Sequence, residues 1–158
     1  MRLLNSVCKV ISDKYSGVPV HIKEVPKNFE RPCFLVVLTT APKQIKSRNV
    51  YEKNPTFQII YFGERDEANQ VLADPLYEVE ETLEEILLLS LVLPVLPKSG
   101  VTEKQRYAKI ESFSSNVRLN EGALYCNLSL NFTEDIPREV VTDIIEDVEL
   151  DVRASVPD

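Results

Sequence analysis

The chain has 158 residues, 44% apolar and 27% charged, the size and composition of one globular domain that folds without disulfide or metal staples. Four scattered glycines, one histidine and no tryptophan exclude a glycine-rich phosphate loop, a dinucleotide fingerprint, a nucleophile elbow and a multi-histidine metal site. The formal net charge of −7 divides unevenly: residues 1–62 carry ten Lys/Arg against four Asp/Glu, and residues 63–158 carry eight against twenty-one. That division argues against coating DNA and for meeting other proteins, copies of itself included, through unlike faces.

Leu3, Leu4, Val7, Val10 and Ile11 recur at helical spacing, with Arg2, Asn5, Ser6, Lys9 and Ser12 between them. This predicts an amphipathic helix over residues 2–15, ended by Gly17. Lys9, Asp13 and Lys14 interrupt the apolar run before a secretory core could form. Strand patterns follow around Val20 and Ile22, over Phe34–Leu38, and over Thr56–Phe62. The second is apolar throughout and is expected to be covered on both faces. Between the last two lies a basic, polar stretch from Ala41 to Arg48, expected to be the loop of a long exposed hairpin arm.

Leu72, Leu76, Val79, Leu83 and Ile86 then step by four and three, opposite an acidic face of Glu78, Glu80, Glu81, Glu84 and Glu85. Asp74-Pro75 marks either the start of this helix or a kink in one that begins near Asp66. Leu91–Leu96 reads as a short edge strand limited by Pro94 and Pro97. Tyr107–Leu119 and Ala123–Phe132 read as two strands around Asn120-Glu121-Gly122, whose Asn and Gly are expected to supply left-handed backbone. In the acidic extension 134–158, residues 137–147 fit a short helix opened by Pro137. From Val148 the apolar residues alternate with Glu149, Asp151 and Arg153, an extended pattern. The expected fold is α+β: one domain over 1–133, an antiparallel or mixed sheet flanked by an N-terminal helix, a long acidic middle helix and a short C-terminal helix.

Carboxylates are the only plentiful reactive groups. Glu78, Glu81 and Glu85 share a helix face opposite the apolar stripe, so they are solvated rather than desolvated into an acid/base pair. Glu146, Asp147, Glu149 and Asp151 lack the glycine turn and loop spacing of a calcium site. Cys8, Cys33 and Cys126 are odd in number, widely spaced and set among apolar residues, which reads as buried reduced thiols. His21 reads as an ordinary strand histidine, and no nucleophile has a base beside it. The sequence therefore assigns no catalytic, metal or cofactor residues. The strongest surface feature is the basic arm of Lys43, Lys46, Arg48, Tyr51 and Lys53. One aromatic among these charges makes a thin platform for nucleic acid. The longest apolar run, Ile86–Leu96, is too short to span a membrane.

The succession Glu24-Val25-Pro26, Arg31-Pro32-Cys33-Phe34-Leu35-Val36, Tyr51 to Pro55, Phe57-Gln58-Ile59-Ile60-Tyr61-Phe62, an amphipathic helix, and the hairpin from Asn120-Glu121-Gly122 to Leu128-Ser129-Leu130-Asn131-Phe132 resembles the tail terminator, or tail completion, proteins of long-tailed phages and phage-tail-like bacteriocins. The resemblance covers about residues 2–133. It implies a non-enzymatic subunit of the virion tail, assembled in the host bacterial cytoplasm into a homo-hexameric ring. Such a ring caps the head-proximal end of the tail tube, stops tube polymerisation and meets the neck or connector and, in contractile tails, the sheath. DNA passes the lumen of such a ring unbound, and no membrane or cofactor is implied. A ring needs two unlike patches on each copy. The basic arm is one expected patch, and Glu78, Glu81, Glu85, Glu146, Asp147, Glu149 and Asp151 form its expected acidic counterpart. The alternative class is a small intracellular α+β binding or adaptor protein without catalytic activity.

Overall fold

A computed structural model describes residues 1–136. The first helix, α1 (Arg2–Lys14), buries Leu3, Leu4, Val7 and Ile11. The 3.6-residue repeat aligns these side chains along one stripe. Gly17 follows at φ 86°, a conformation cheap only for glycine. The chain then forms β1 (Val20–Ile22), β2 (Cys33–Thr40), β3 (Lys43–Ser47), β4 (Val50–Lys53) and β5 (Thr56–Phe62). After α2 (Ala73–Glu84) and a π-helical turn (Glu85–Leu89) come β6 (Val92–Val95), β7 (Arg106–Arg118) and β8 (Ala123–Asp135).

One mixed sheet holds all eight strands. β1 pairs parallel with β2, and the other pairings are antiparallel. β8 organises the sheet because it is long. One of its edges takes β5 along Ala123–Ser129 and then β4 along Phe132–Asp135. Its other edge takes β7, and β6 lies beyond β7.

Both helices cover the same face of this sheet. Leu124, Cys126, Leu128, Leu130 and Phe132 of β8 alternate inward to meet α1, α2, Phe34, Val36, Phe57 and Ile59 in one core. The period of two aims every second residue at the helices. On the reverse face, Leu35, Ile60 and Ala123 form a small second cluster, packed by Val25, Val37, Phe62 and Tyr125. β2 is thus covered on both sides over Cys33–Val36, whereas Leu38, at the end of its apolar run, is 42% exposed.

The expected helical flank is corrected. Among the described residues strand outweighs helix, 43% to 22%, and there are two helices. The middle helix is not long. Asp66 accepts the Gln70 amide through Oδ1 at 2.8 Å and closes a turn there, so the helix starts only at Ala73, and it passes into the π turn after Glu84. Asp74 and Pro75 sit in its first turn, where the missing proline N–H breaks no helical bond. The C-terminal helix expected at 137–147 lies outside the described residues.

Three local expectations also change. Lys43–Ser47 is a strand rather than a loop, because the backbone of this exposed stretch pairs with β4. At the β7–β8 turn only Gly122 is left-handed, at φ 64°. β8 runs past Phe132 to Asp135, since β4 supplies a partner for those residues.

Pro94 sits inside β6 without breaking its ladder. The Ile110 amide donates to Leu91 O at 3.0 Å. Antiparallel alternation then turns Leu93 and Val95 toward β7, and Val92 and Pro94 toward the open edge. The absent N–H would have faced outward, where it denies pairing to a further strand.

Candidate functional site

The basic arm is the β3–β4 hairpin, inserted between β2 and β5. Its register is Lys43↔Lys53, Gln44↔Glu52 and Ile45↔Tyr51, with a bulge before Ser47↔Val50. β4 holds the arm to the body through Val50↔Asp135, Tyr51↔Glu134, Glu52↔Thr133 and Lys53↔Phe132. Every residue of β3 is exposed.

The arm is locked from beneath by one carboxylate. Glu134 is 5% exposed. Tyr51 donates its hydroxyl to Glu134 Oε2 at 2.7 Å, and Lys53 Nζ lies 2.5 Å from the same oxygen. From α1, Arg2 Nη1 donates to Glu134 Oε1 at 3.0 Å. The same guanidinium also binds Glu103 and donates from Nε to Leu96 O at 2.7 Å. Two cations and two carboxylates therefore close a balanced network joining α1, the arm, β8 and the 96–103 loop.

Burial alone would raise the Glu134 pKa, but hydrogen bonds from Lys53 and Tyr51 and the charges of Lys53 and Lys98 outweigh it and hold the group at about 2. Burial likewise disfavours the Lys53 ammonium, yet its bond to Glu134 leaves that pKa raised. The Tyr51 pKa is raised, first by its hydrogen bond to Glu134 and then by burial.

The five residues of the expected basic patch thus divide. Tyr51 and Lys53 are half-buried and held by Glu134. Lys43, Lys46 and Arg48 are exposed, with Lys46 Nζ 3.6 Å from Glu52 Oε2. Ile45 stands among them at 72% exposure. Glu78, Glu81 and Glu85 lie exposed on α2 and the π turn, whereas Glu80 accepts the Ser115 hydroxyl at 2.6 Å. Glu146, Asp147, Glu149 and Asp151 fall outside the described residues. The sequence reading missed Glu134 and Arg2 as the arm's anchors. The available signal was a lone glutamate in phase with the apolar face Leu128, Leu130 and Phe132.

At the other end of the sheet, Arg31 donates to the carbonyls of Gly63 and Gly122, both at 3.2 Å, and Arg65 donates to Glu121 O at 3.2 Å. These arginines brace the β7–β8 turn. Arg31 Nη2 also donates to Glu121 O at 3.4 Å and Arg65 Nη1 to Asn69 O at 3.2 Å, so the pair clamps the turn through backbone oxygens. Cys33 and Cys126 are buried and Cys8 is half-buried. Burial pushes the Cys126 thiol up to about 12, with Glu80 adding to it, which makes it a poor nucleophile at neutral pH. His21 is half-buried on β1. Among the described residues, no group of three His, Cys, Asp or Glu is placed to hold a metal ion, and no helix is long and apolar enough to cross a membrane.

The arm and the helical layer thus carry exposed patches of opposite charge. A family model described as "Phage tail terminator protein" matches residues 2–142. A search of curated proteins finds no match.

Proposed function

The chain belongs to a family of phage tail terminator proteins, and from that premise we propose that it forms a homo-hexameric ring on the head-proximal end of a tail tube. There it ends tube polymerisation and presents a surface to the neck or connector. Family membership already makes the chain a structural component of a phage tail. The observation that carries the finer reading is the separation of two exposed, oppositely charged patches. The arm, with Lys43, Lys46 and Arg48, is tied to the Phe132–Asp135 end of β8. The acidic helix α2 starts at the far end, where Leu76 Cδ2 fills the space beside Gly63 that a Cβ would need. Unlike patches at separate places on one subunit are what a head-to-tail ring requires. In this reading the arm of one copy meets Glu78, Glu81 and Glu85 of the next.

Electron microscopy of the protein mixed with tail tubes tests this, with six-fold rings expected at one tube end. Tube lengths left unchanged by deletion of the gene, together with bare tube ends in the mixture, would overturn it. At the residue level, Lys43→Glu/Lys46→Glu/Arg48→Glu is expected to leave a folded subunit that no longer adds to tubes. Adding Glu78→Lys/Glu81→Lys/Glu85→Lys to the same chain is expected to restore addition, because both partners of each copy-to-copy contact are then reversed.

A further inference from the structure

Among the described residues, a cavity of about 140 Å³ lies between α1 and the base of the arm. Buried Leu4, Pro55 and Phe57 line its inner part, and exposed Leu38, Ala41 and Lys43 form its rim. Arg2, Lys53 and Glu134 also line it, but these charges are paired in the network beneath the arm. What faces an incoming group is an apolar hollow beside the ammonium of Lys43. An apolar space of about 150 Å³ takes a benzene ring, so a leucine side chain fits.

Leu91 offers such a side chain. It is the first residue past Ser90, the cap of the π turn, and it stands at φ 68°. Helices often end in this left-handed conformation, but with glycine, because a Cβ is penalised there. The backbone of Leu91 serves the fold: its amide donates to Leu88 O at 3.1 Å, and its carbonyl accepts the Ile110 amide at 3.0 Å. Its side chain does not. Among the described residues it is 70% exposed and belongs to neither apolar cluster, so glycine would meet the turn at lower cost. A strained residue whose side chain serves nothing inside the fold points to a use outside it. Leu89 is exposed beside it. Glu84 and Glu85 in the preceding turn, and Glu111 and Lys109 on either side of Ile110, are exposed as well, a balance of acid.

Leucine and cavity lie on different sides of the subunit. Leu38 pairs with Phe57 and Phe57 with Leu128. Leu130, two residues on, pairs with Ile110, whose amide bonds Leu91. Four strand spacings, about 19 Å, therefore separate Leu91 from Leu38, and a chain cannot fill its own cavity with this side chain. We propose that Leu91 of one copy seats in the cavity beside the arm of the next, with Glu84 and Glu85 of the first copy against Lys43 of the second. The charges align the two surfaces, and the leucine, desolvated in a fitted pocket, is the anchor. That this contact repeats around a ring rests on the proposed function. The pairing of leucine and cavity stands on their size, charge and placement.

Addition of the full-length protein to tail tubes tests the contact, with the urea midpoint of each variant measured alongside. Asparagine accepts the left-handed conformation, so Leu91→Asn is expected to keep or raise the midpoint, while half-maximal addition to tubes takes about thirtyfold more protein. Ala41→Trp fills the cavity from its own rim and is expected to show a similar loss. The double variant is expected to be no weaker than either single one, because both changes remove the same contact. Wild-type addition by Leu91→Asn, or losses that add in the double variant, would overturn the contact and leave the ring reading standing. If the wild type ignores tubes, the ring reading falls and sedimentation of the protein alone decides the contact. Self-association abolished by Leu91→Asn supports it. Self-association that Leu91→Asn leaves unchanged, or a strict monomer, overturns it.

Discussion

Glu134 is a single carboxylate gripped by Arg2, Tyr51 and Lys53, and it shows how one residue can fix the attitude of a whole arm. Breaking a buried, paired charge costs more than the pair contributes, because the remaining partners stay desolvated. The folded pKa of about 2 lies below the ordinary 4.5. The stabilisation is therefore complete above about pH 4.5 and is lost as pH falls from there through 2. Glu134→Gln is expected to cost about 3 kcal/mol at neutral pH, read from urea unfolding. The gap to the wild type should close as the pH approaches 2. A gap that stays constant across that window would mean that the carboxylate charge is not what holds the arm. In the sequence, Glu134 is legible only as an in-phase polar residue at the end of an alternating strand. Its three partners come from positions 2, 51 and 53, and no local pattern announces them.

At the scale of elements, α1 and α2 are legible because each buries a stripe that recurs every three to four residues. In α2 the stripe is Leu76, Val79 and Leu83. Leu83 is fully buried, so Leu83→Ala is expected to destabilise the protein by about 2–4 kcal/mol. Glu81→Ala, on the solvated face, should stay within about 0.5 kcal/mol of the wild type. Chemical denaturation of both variants checks the pair, and equal effects would contradict the burial pattern. The arm was half legible. Its basic, polar composition marks it as exposed, but exposure on both faces erases the alternation by which a strand is read. β3 is a strand because its backbone bonds to β4, and β4 is one because β8 runs on to Asp135 beside it. The length of the middle helix was misjudged for a related reason: the apolar spacing runs smoothly from Leu72 to Ile86, while a side-chain-closed turn at Asp66 and the π turn at Glu85 limit it.

For the whole molecule, the division of charge becomes a division of surface. The exposed cations Lys43, Lys46 and Arg48 lie on the arm, and the exposed acids Glu78, Glu81 and Glu85 lie on the helical layer. Contacts between such solvated patches are screened over about 10 Å at 0.1 M salt and about 3 Å at 1 M, whereas the apolar core is not. Raising salt from 0.05 to about 0.5 M is therefore expected to weaken addition to tubes while leaving the urea midpoint of the isolated subunit nearly unchanged. Sedimentation with tubes and denaturation of the same sample measure the two effects, and salt-insensitive addition would point to an apolar contact instead. The sequence by itself determined the two amphipathic helices, the apolar strands β2 and β5, the β7–β8 hairpin, the charge asymmetry and the resemblance to tail terminators. Each of these is written in residues close together in the chain, or in the order of such segments. Only the tertiary structure decided that both helices lie on one face, that β8 joins the arm to the body, and that Tyr51 and Lys53 turn inward to Glu134. Strand pairing and burial of charge depend on partners far apart in sequence, and backbone hydrogen bonds carry no side-chain signature by which those partners could be read.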